Sequence, residues 1–237
     1  MKIELLYPEL ATLYGDPMNM NFLLRAIPDA EVIRTRHGTQ PAFVNGDVEF
    51  VYIGSMTEAL QITAMQSLLP YKSELERYID SNKIFLATGN ALELFGERIV
   101  DTDGAETAML GLFPTVAKRD MLNRFNGLFL GKLESENLDI VGFKSQFAHS
   151  YGSADALFTA TRGAGLNPEA RVEGLRRNNF MATYVLGPLL VLNPPFAKYL
   201  LKLLGRGDAE LPYESAAMDS YELRLREFSD PKTGFDY

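Results

Sequence analysis

Apolar and polar positions alternate along the first hundred residues in a way that predicts short strands separated by helices. Lys2 to Tyr7 reads as a strand, and Pro8 to Pro17 as a loop containing Tyr14-Gly15-Asp16. Asn19 to Ile27 is spaced as a helix closed by Pro28, and Glu31 to Arg36 alternates as a strand does. Gly38 to Gly46 is a loop, and Val48 to Ile53 is an apolar strand ending at Gly54-Ser55. Thr57 is placed to cap a helix carrying Leu60, Ile62 and Met65, which Pro70 breaks, and Lys72 to Ile79 supplies another. Ile84 to Ala87 is apolar throughout, as a strand buried on both faces must be. Thr88-Gly89-Asn90 turns the chain, and Ala91 to Phe95 reads as the start of a helix. Strands alternating with helices predict an α/β fold: a doubly wound, mainly parallel sheet flanked by helices.

After Val100 the pattern changes. Asp101 to Lys118 is mixed and turn-rich, whereas Arg124 to Leu133 and Leu138 to Phe143 predict an antiparallel pair that extends the parallel sheet. Ser150 to Asn167 has no clear period. Asn179 to Leu186 reads as a strand, Pro194 to Leu204 as an amphipathic helix begun by proline, and Tyr213 to Phe228 as a polar helix. Nothing resembling a repeat or linker divides the chain. The expectation is a single domain over residues 1–228 and a loose C-terminal tail over 229–237.

Composition narrows the chemistry. The chain has 237 residues, 46% hydrophobic and 23% charged, ordinary values for a soluble globular protein. A net charge of −8 argues against nucleic-acid or anionic-membrane binding. Cysteine is absent, which excludes disulfides, cysteine-ligated metals and thiol catalysis. Met1 to Tyr7 is too short and acidic for a signal peptide, and the apolar stretch Met181 to Leu204 is interrupted by Gly187, Pro188, Asn193, Pro194 and Pro195, so no membrane insertion is expected. These features predict a cytoplasmic protein with no cofactor and no metal.

The segment from Lys83 to Gly96 is the one that invites a chemical reading. A strand–turn–helix corner is where α/β enzymes project a nucleophile, with backbone N–H groups nearby for a developing oxyanion. The nucleophile position here is Gly89, which has no side chain.

Four stretches, in order and at consistent spacing, carry a family resemblance. They are Leu6-Tyr7-Pro8 through Tyr14-Gly15-Asp16 to Asn19; Phe50 to Gly54 with Gln61 beyond; Phe85 to Gly96; and Thr183-Tyr184-Val185-Leu186-Gly187-Pro188-Leu189-Leu190 with Asn193-Pro194. Leu211-Pro212-Tyr213-Glu214 adds a C-terminal match. Over about Leu6 to Phe228 the chain resembles class I glutamine amidotransferases of the cobyric acid synthase type, and within them the glutaminase subunit of lipid II isoglutaminyl synthase. The resemblance implies the class I amidotransferase fold and a pocket built by these stretches. It also locates the departures. Gly89 stands where the family has its cysteine nucleophile and Leu186 where it has its histidine. Gly54-Ser55-Met56 replaces a triple-glycine oxyanion loop, so Met56 would crowd the approach such a loop needs. Glu93 replaces the elbow's glutamine, and Lys144-Ser145-Gln146 replaces the Glu-Asn-His that follows Gly142-Phe143. Nucleophile and base act as a unit, so losing both implies a scaffold without glutaminase chemistry.

On this reading no residue is catalytic. The vestigial pocket comprises Gly54, Ser55, Met56, Thr88, Gly89, Asn90, Glu93, Gln146, His149 and Leu186. Thr88 reads as a β-branched residue ending a buried strand, and Ser55 as a loop residue outside any serine-elbow pattern. His37 is expected in a solvated loop. His149 falls near the implied pocket but has no evident nucleophile to serve. Asp101, Asp103 and Glu106 lack the spacing of a calcium loop and read as a solvated turn. Arg171, Arg176 and Arg177 read as surface charge. Gly15, Asp16 and Asn19 read as a turn and helix start at the pocket rim. The resemblance implies a Mur-ligase-like subunit as partner, with homo-oligomerisation as the other option. The rival expectation is a different hydrolase or transferase chemistry at the same corner, using Glu93, Gln146 or His149.

Overall fold

The computed structural model describes residues 1–235. Its first half contains β1 (Lys2–Leu6), α1 (Pro17–Ala26), β2 (Glu31–Thr35), β3 (Phe50–Ile53), α2 (Glu58–Leu68), α3 (Lys72–Asp80) and β4 (Ile84–Thr88). The next seven strands lie outside the first sheet: β5 (Arg98–Val100), β6 (Glu106–Ala108), β7 (Thr115–Arg119), β8 (Phe125–Leu133), β9 (Leu138–Gln146), β10 (Ala148–Gly152) and β11 (Phe158–Arg162). The last part holds β12 (Val172–Glu173), β13 (Leu175–Arg177), β14 (Phe180–Thr183), α4 (Leu189–Leu192), α5 (Pro194–Leu203) and α6 (Glu214–Ser229).

The main sheet has six strands in the order β13-β14-β4-β3-β1-β2. All its neighbours run parallel except β13, which pairs antiparallel with β14. Successive side chains of a strand point to opposite faces, and here both faces are covered. Phe85 and Ala87 of β4 join a core containing Leu68 of α2 and Leu75 and Ile79 of α3. Ile84 and Leu86 join a second core containing Leu23 of α1 and Phe196 and Leu200 of α5. A strand placed between two cores has no solvent face, which is why β4 carries no polar residue before Thr88. Thr57 caps α2 as its sequence position predicts, accepting the Leu60 N–H on its hydroxyl at 3.4 Å.

The middle of the chain forms two further sheets, ordered β10-β7-β5-β6 and β12-β11-β8-β9. The predicted antiparallel pair is β8 and β9, in register from Phe125–Gln146 to Leu133–Leu138, but it does not extend the parallel sheet: both strands belong to a separate antiparallel sheet with β11 and β12.

Two local expectations are corrected. Ala91 to Phe95 does not open an α-helix. Gly89–Phe95 is a 3-10 segment, after which the chain runs into β5. The carbonyls that would accept the next helical turn are taken: Leu94 O receives the Leu110 N–H, and Phe95 O those of Leu112 and Phe113, all at 3.0 Å. Nor is the tail loose as far as it is described. Arg162 donates to the carbonyls of Asp230 and Thr233 at 2.7 and 2.8 Å, and Leu128 N–H to Phe235 O at 2.7 Å. Asp236 and Tyr237 lie outside the described residues.

Candidate functional site

Gly89 leaves the end of β4 with φ at 61°, in the left-handed region that side chains enter only under strain. Space restricts the position as well. A Cβ on Gly89 would overlap the Ser55 hydroxyl oxygen and lie 2.9 Å from Ser55 Cβ and 3.1 Å from Leu186 Cδ2. The residues at the nucleophile and histidine positions of the resemblance therefore face one another. Leu186 is fixed by a backbone bridge to β9: its N–H donates to Phe143 O at 2.8 Å, and Phe143 N–H returns to Leu186 O at 3.2 Å. Gly142 permits this approach, since a Cβ there would stand 2.7 Å from Leu186 O.

Ser55 is held in place by Asp16, the residue just before α1. Asp16 Oδ2 accepts from the Ser55 N–H at 2.8 Å, the Ser55 hydroxyl at 2.7 Å and the Thr88 hydroxyl at 2.8 Å. Asn19 donates to Asp16 Oδ1 at 3.1 Å and to Tyr52 Oη at 3.0 Å. Its own side-chain oxygen accepts the Leu190 N–H at 2.8 Å, tying α1 to α4. Tyr52 Oη also contacts Thr88 Oγ1 at 2.9 Å and donates to Asp16 O at 3.1 Å. Asp16, Asn19 and Thr88 are fully buried. Burial pushes the Asp16 carboxyl above its ordinary range, against the pull of its donors.

The neighbouring loop is closed too. Met56 N–H donates to Asn90 Oδ1 at 3.1 Å, and Asn90 Nδ2 returns to Met56 O at 2.7 Å. An N–H that could have faced a developing oxyanion is thus spent on Asn90. Met56 and Leu186 are both buried at this corner.

Glu93 belongs to an adjoining knot. It accepts from Gln61 Nε2 at 2.9 Å and from Tyr184 Oη at 3.3 Å, and lies 3.7 Å from Arg119 Nη2. Arg119 in turn donates to Gln61 Oε1 at 2.6 Å, and Gln61 Nε2 to Asn90 O at 2.6 Å. Burial raises the Glu93 carboxyl to about 7, although Gln61 and Arg119 oppose the shift. A third buried group pairs Lys144 with Glu173, whose other oxygen accepts from the Thr183 hydroxyl and the Tyr184 N–H, both at 2.8 Å. Burial pulls the Lys144 pKa down while Glu173 opposes the shift.

Most of the predicted pocket converges: Gly54, Ser55, Met56, Thr88, Gly89, Asn90, Glu93 and Leu186 are linked by these contacts or by chain continuity. Gln146 and His149 are not joined to this set by hydrogen bonds. Gln146 Nε2 donates to Ala148 O at 2.6 Å and meets His149 Nδ1 at 3.3 Å, and neither residue hydrogen-bonds to the Asp16 or Glu93 knots. Burial and the Lys144 charge lower the His149 pKa. His37 is in an exposed loop, paired with Glu9 at 2.9 Å. Asp101 meets Arg119 at 3.4 Å, and Asp103 receives the Ala105 N–H, as turn residues do. No cluster of three or more metal-ligating side chains occurs among the described residues. Arg171, Arg176 and Arg177 are dispersed, bonding respectively to Thr161 O, Tyr199 Oη and Asp80.

Asp16 is the centre of the corner and not the rim turn that its sequence context predicts. Arg119, Tyr52 and the Lys144–Glu173 pair join the buried polar groups although they are not among the predicted pocket residues. For Asp16 the available signal was its resemblance-conserving Tyr-Gly-Asp…Asn spacing; for Arg119 there was none.

Comparison with known proteins agrees with this frame. The chain is 28% identical over 177 residues to the lipid II isoglutaminyl synthase (glutamine-hydrolyzing) subunit GatD of Staphylococcus aureus, covering 73% of this chain and 70% of that protein. It is 27% identical to the corresponding subunit of Streptococcus pneumoniae, covering 100% of this chain and 94% of that one. A solved glutamine amidotransferase superposes with a TM-score of 0.54 at 14% identity, over 86% of this chain and 98% of its own. One from Thermotoga maritima gives 0.52 at 10% identity, over 96% and 91%. These two show a shared fold. No helix among the described residues is long and apolar enough to cross a membrane. Residues 2–193 match the model of the CobB/CobQ-like glutamine amidotransferase domain, and the chain belongs to that family.

Proposed function

We propose that this chain is a glutamine amidotransferase-like subunit without glutaminase chemistry, serving as a scaffold or regulatory subunit for a Mur-ligase-type or related amidating partner in cell-wall metabolism. The observation that carries this reading is the filled corner. Gly89 offers no nucleophile, the Ser55 hydroxyl occupies the volume of any side chain there, and Leu186 takes the place opposite. Hydrolysis of a glutamine amide needs a nucleophile, a proton carrier and a donor-lined recess. Here the first two are missing, and the Met56 N–H is engaged by Asn90.

The likeness to subunits of lipid II isoglutaminyl synthases supports the cell-wall context and the expectation of a partner subunit. A different chemistry at the same corner is less well supported. Ser55 and Leu186 close on Gly89, and Gln146 Nε2 and His149 Nδ1 meet each other rather than a group at that corner. A glutaminase assay on the purified chain, alone and with a Mur-ligase-type partner, tests the reading. The expected result is no glutamate release above background in either sample, together with a stable complex; robust release would overturn it.

A further inference from the structure

A groove of about 1050 Å³ runs between α1, α4 and α6. Asn19, which anchors Asp16, also holds α4 against α1. The floor is apolar, with Phe22, Val191 and Leu192, and its border includes Met18 and Tyr213, 48% and 80% exposed. No acidic side chain lines the groove, although the chain has 31 Asp and Glu against 23 Lys and Arg. Two arginines do, Arg25 and Arg224. Neither takes part in an ion pair among the described residues. Arg224 spends one nitrogen on Ser220 at 2.7 Å.

We infer that this groove docks an acidic amphipathic helix of a protein partner, its apolar side chains on the floor and its carboxylates on Arg25 and Arg224. The volume fits about two turns of a helix about 10 Å across. Charge complementarity selects the occupant: a basic rim on an otherwise acidic chain repels basic segments and pairs with carboxylates that the chain itself does not provide. A second copy fits poorly, since a two-fold contact would set the arginines of one groove against those of the other. An anionic bilayer fits poorly as well, because the site is concave and the surrounding net charge is −8. The inference rests on the reading of this chain as a subunit, and names the surface through which it acts.

The test is selection of a phage-displayed library of random peptides, about three helical turns long, against the full chain. Recovered peptides are then measured against Arg25→Glu/Arg224→Glu and against Ala216→Trp, which narrows the groove from an exposed position. The expected outcome is enrichment of Asp or Glu with Leu, Ile or Phe at helical spacing. Binding should be at least about tenfold weaker to both variants, and a peptide with its acids changed to Lys should regain binding to the double Glu variant. The inference is overturned if selection recovers nothing, if the peptides lack acids, or if they bind the variants equally. It is overturned too by a concentration-dependent dimer that Ala216→Trp abolishes, or by Arg-dependent binding to phosphatidylglycerol vesicles without any peptide selected. A partner ligase that remains bound to both variants would refute the groove and leave the subunit reading intact, whereas glutaminase activity would refute that reading without bearing on the peptides.

Discussion

The first turn of α1 and its outer side meet opposite fates. At the N-terminal end, Asp16 gathers Ser55, Thr88 and Asn19 into a buried knot beside Gly89. On its outer side, Met18, Phe22 and Arg25 line an open groove. The contrast teaches that one helix can close a buried polar knot at its start while its outer side stays open to solvent. Buried polar groups are costly unless satisfied, so the corner had to be closed completely or left wet, and here it is closed.

The comparison can be broken most forcefully at Asp16. Asp16→Ala strips four hydrogen bonds from buried donors and should cost roughly 3 kcal/mol or more, read from urea denaturation. A loss under about 1 kcal/mol would mean that the knot is wet and the corner open. Gly89→Cys comes next. It combines a strained φ with a clash against Ser55, and a destabilisation of about 1–3 kcal/mol is expected. Adding Ser55→Gly should recover part of that loss, giving a favourable coupling in a double-mutant cycle.

Glu93 sharpens the comparison through pH. A carboxyl whose pKa is higher folded than unfolded binds its proton more tightly in the fold. Its stabilising effect is therefore full below the unfolded glutamate range and is lost as pH rises through about 7. Between pH 4.5 and 8 the wild type should lose about 2–3 kcal/mol more stability than Glu93→Gln. Parallel pH profiles of the two proteins would show Glu93 to be free of this linkage. The smallest effect belongs to the groove. Arg25→Glu and Arg224→Glu should each change the unfolding free energy by no more than about 0.5 kcal/mol, because neither side chain forms an ion pair among the described residues and Arg224 bonds only to Ser220, one turn away on its own helix.

Legibility in the sequence followed the range of the interactions. β4 could be read from four residues because burial on both faces leaves a local trace, and the turn after it because Gly-Asn is local too. Asp16 could not: its partners Ser55 and Thr88 lie 39 and 72 residues away, and Tyr-Gly-Asp before a proline reads as a surface turn. The Lys144–Glu173 pair spans 29 residues with no periodic signal in either segment. Ala91 to Phe95 failed for a different reason. Its residues are good helix formers, but the segment from Leu110 to Phe113 occupies the carbonyls that propagation needs. The C-terminal residues looked unanchored because Arg162, their main holder, sits in a stretch whose pattern predicts nothing.

The oxygen of Ser55 beside Gly89 also has a bearing on descent. Selection tries one codon change at a time. A side chain introduced at residue 89 while Ser55 remains meets an occupied volume; removing Ser55 first leaves a hole and takes one donor from Asp16. Either order passes through a less stable intermediate, so packing entrenches the glycine, and lineages carrying this pair should keep it.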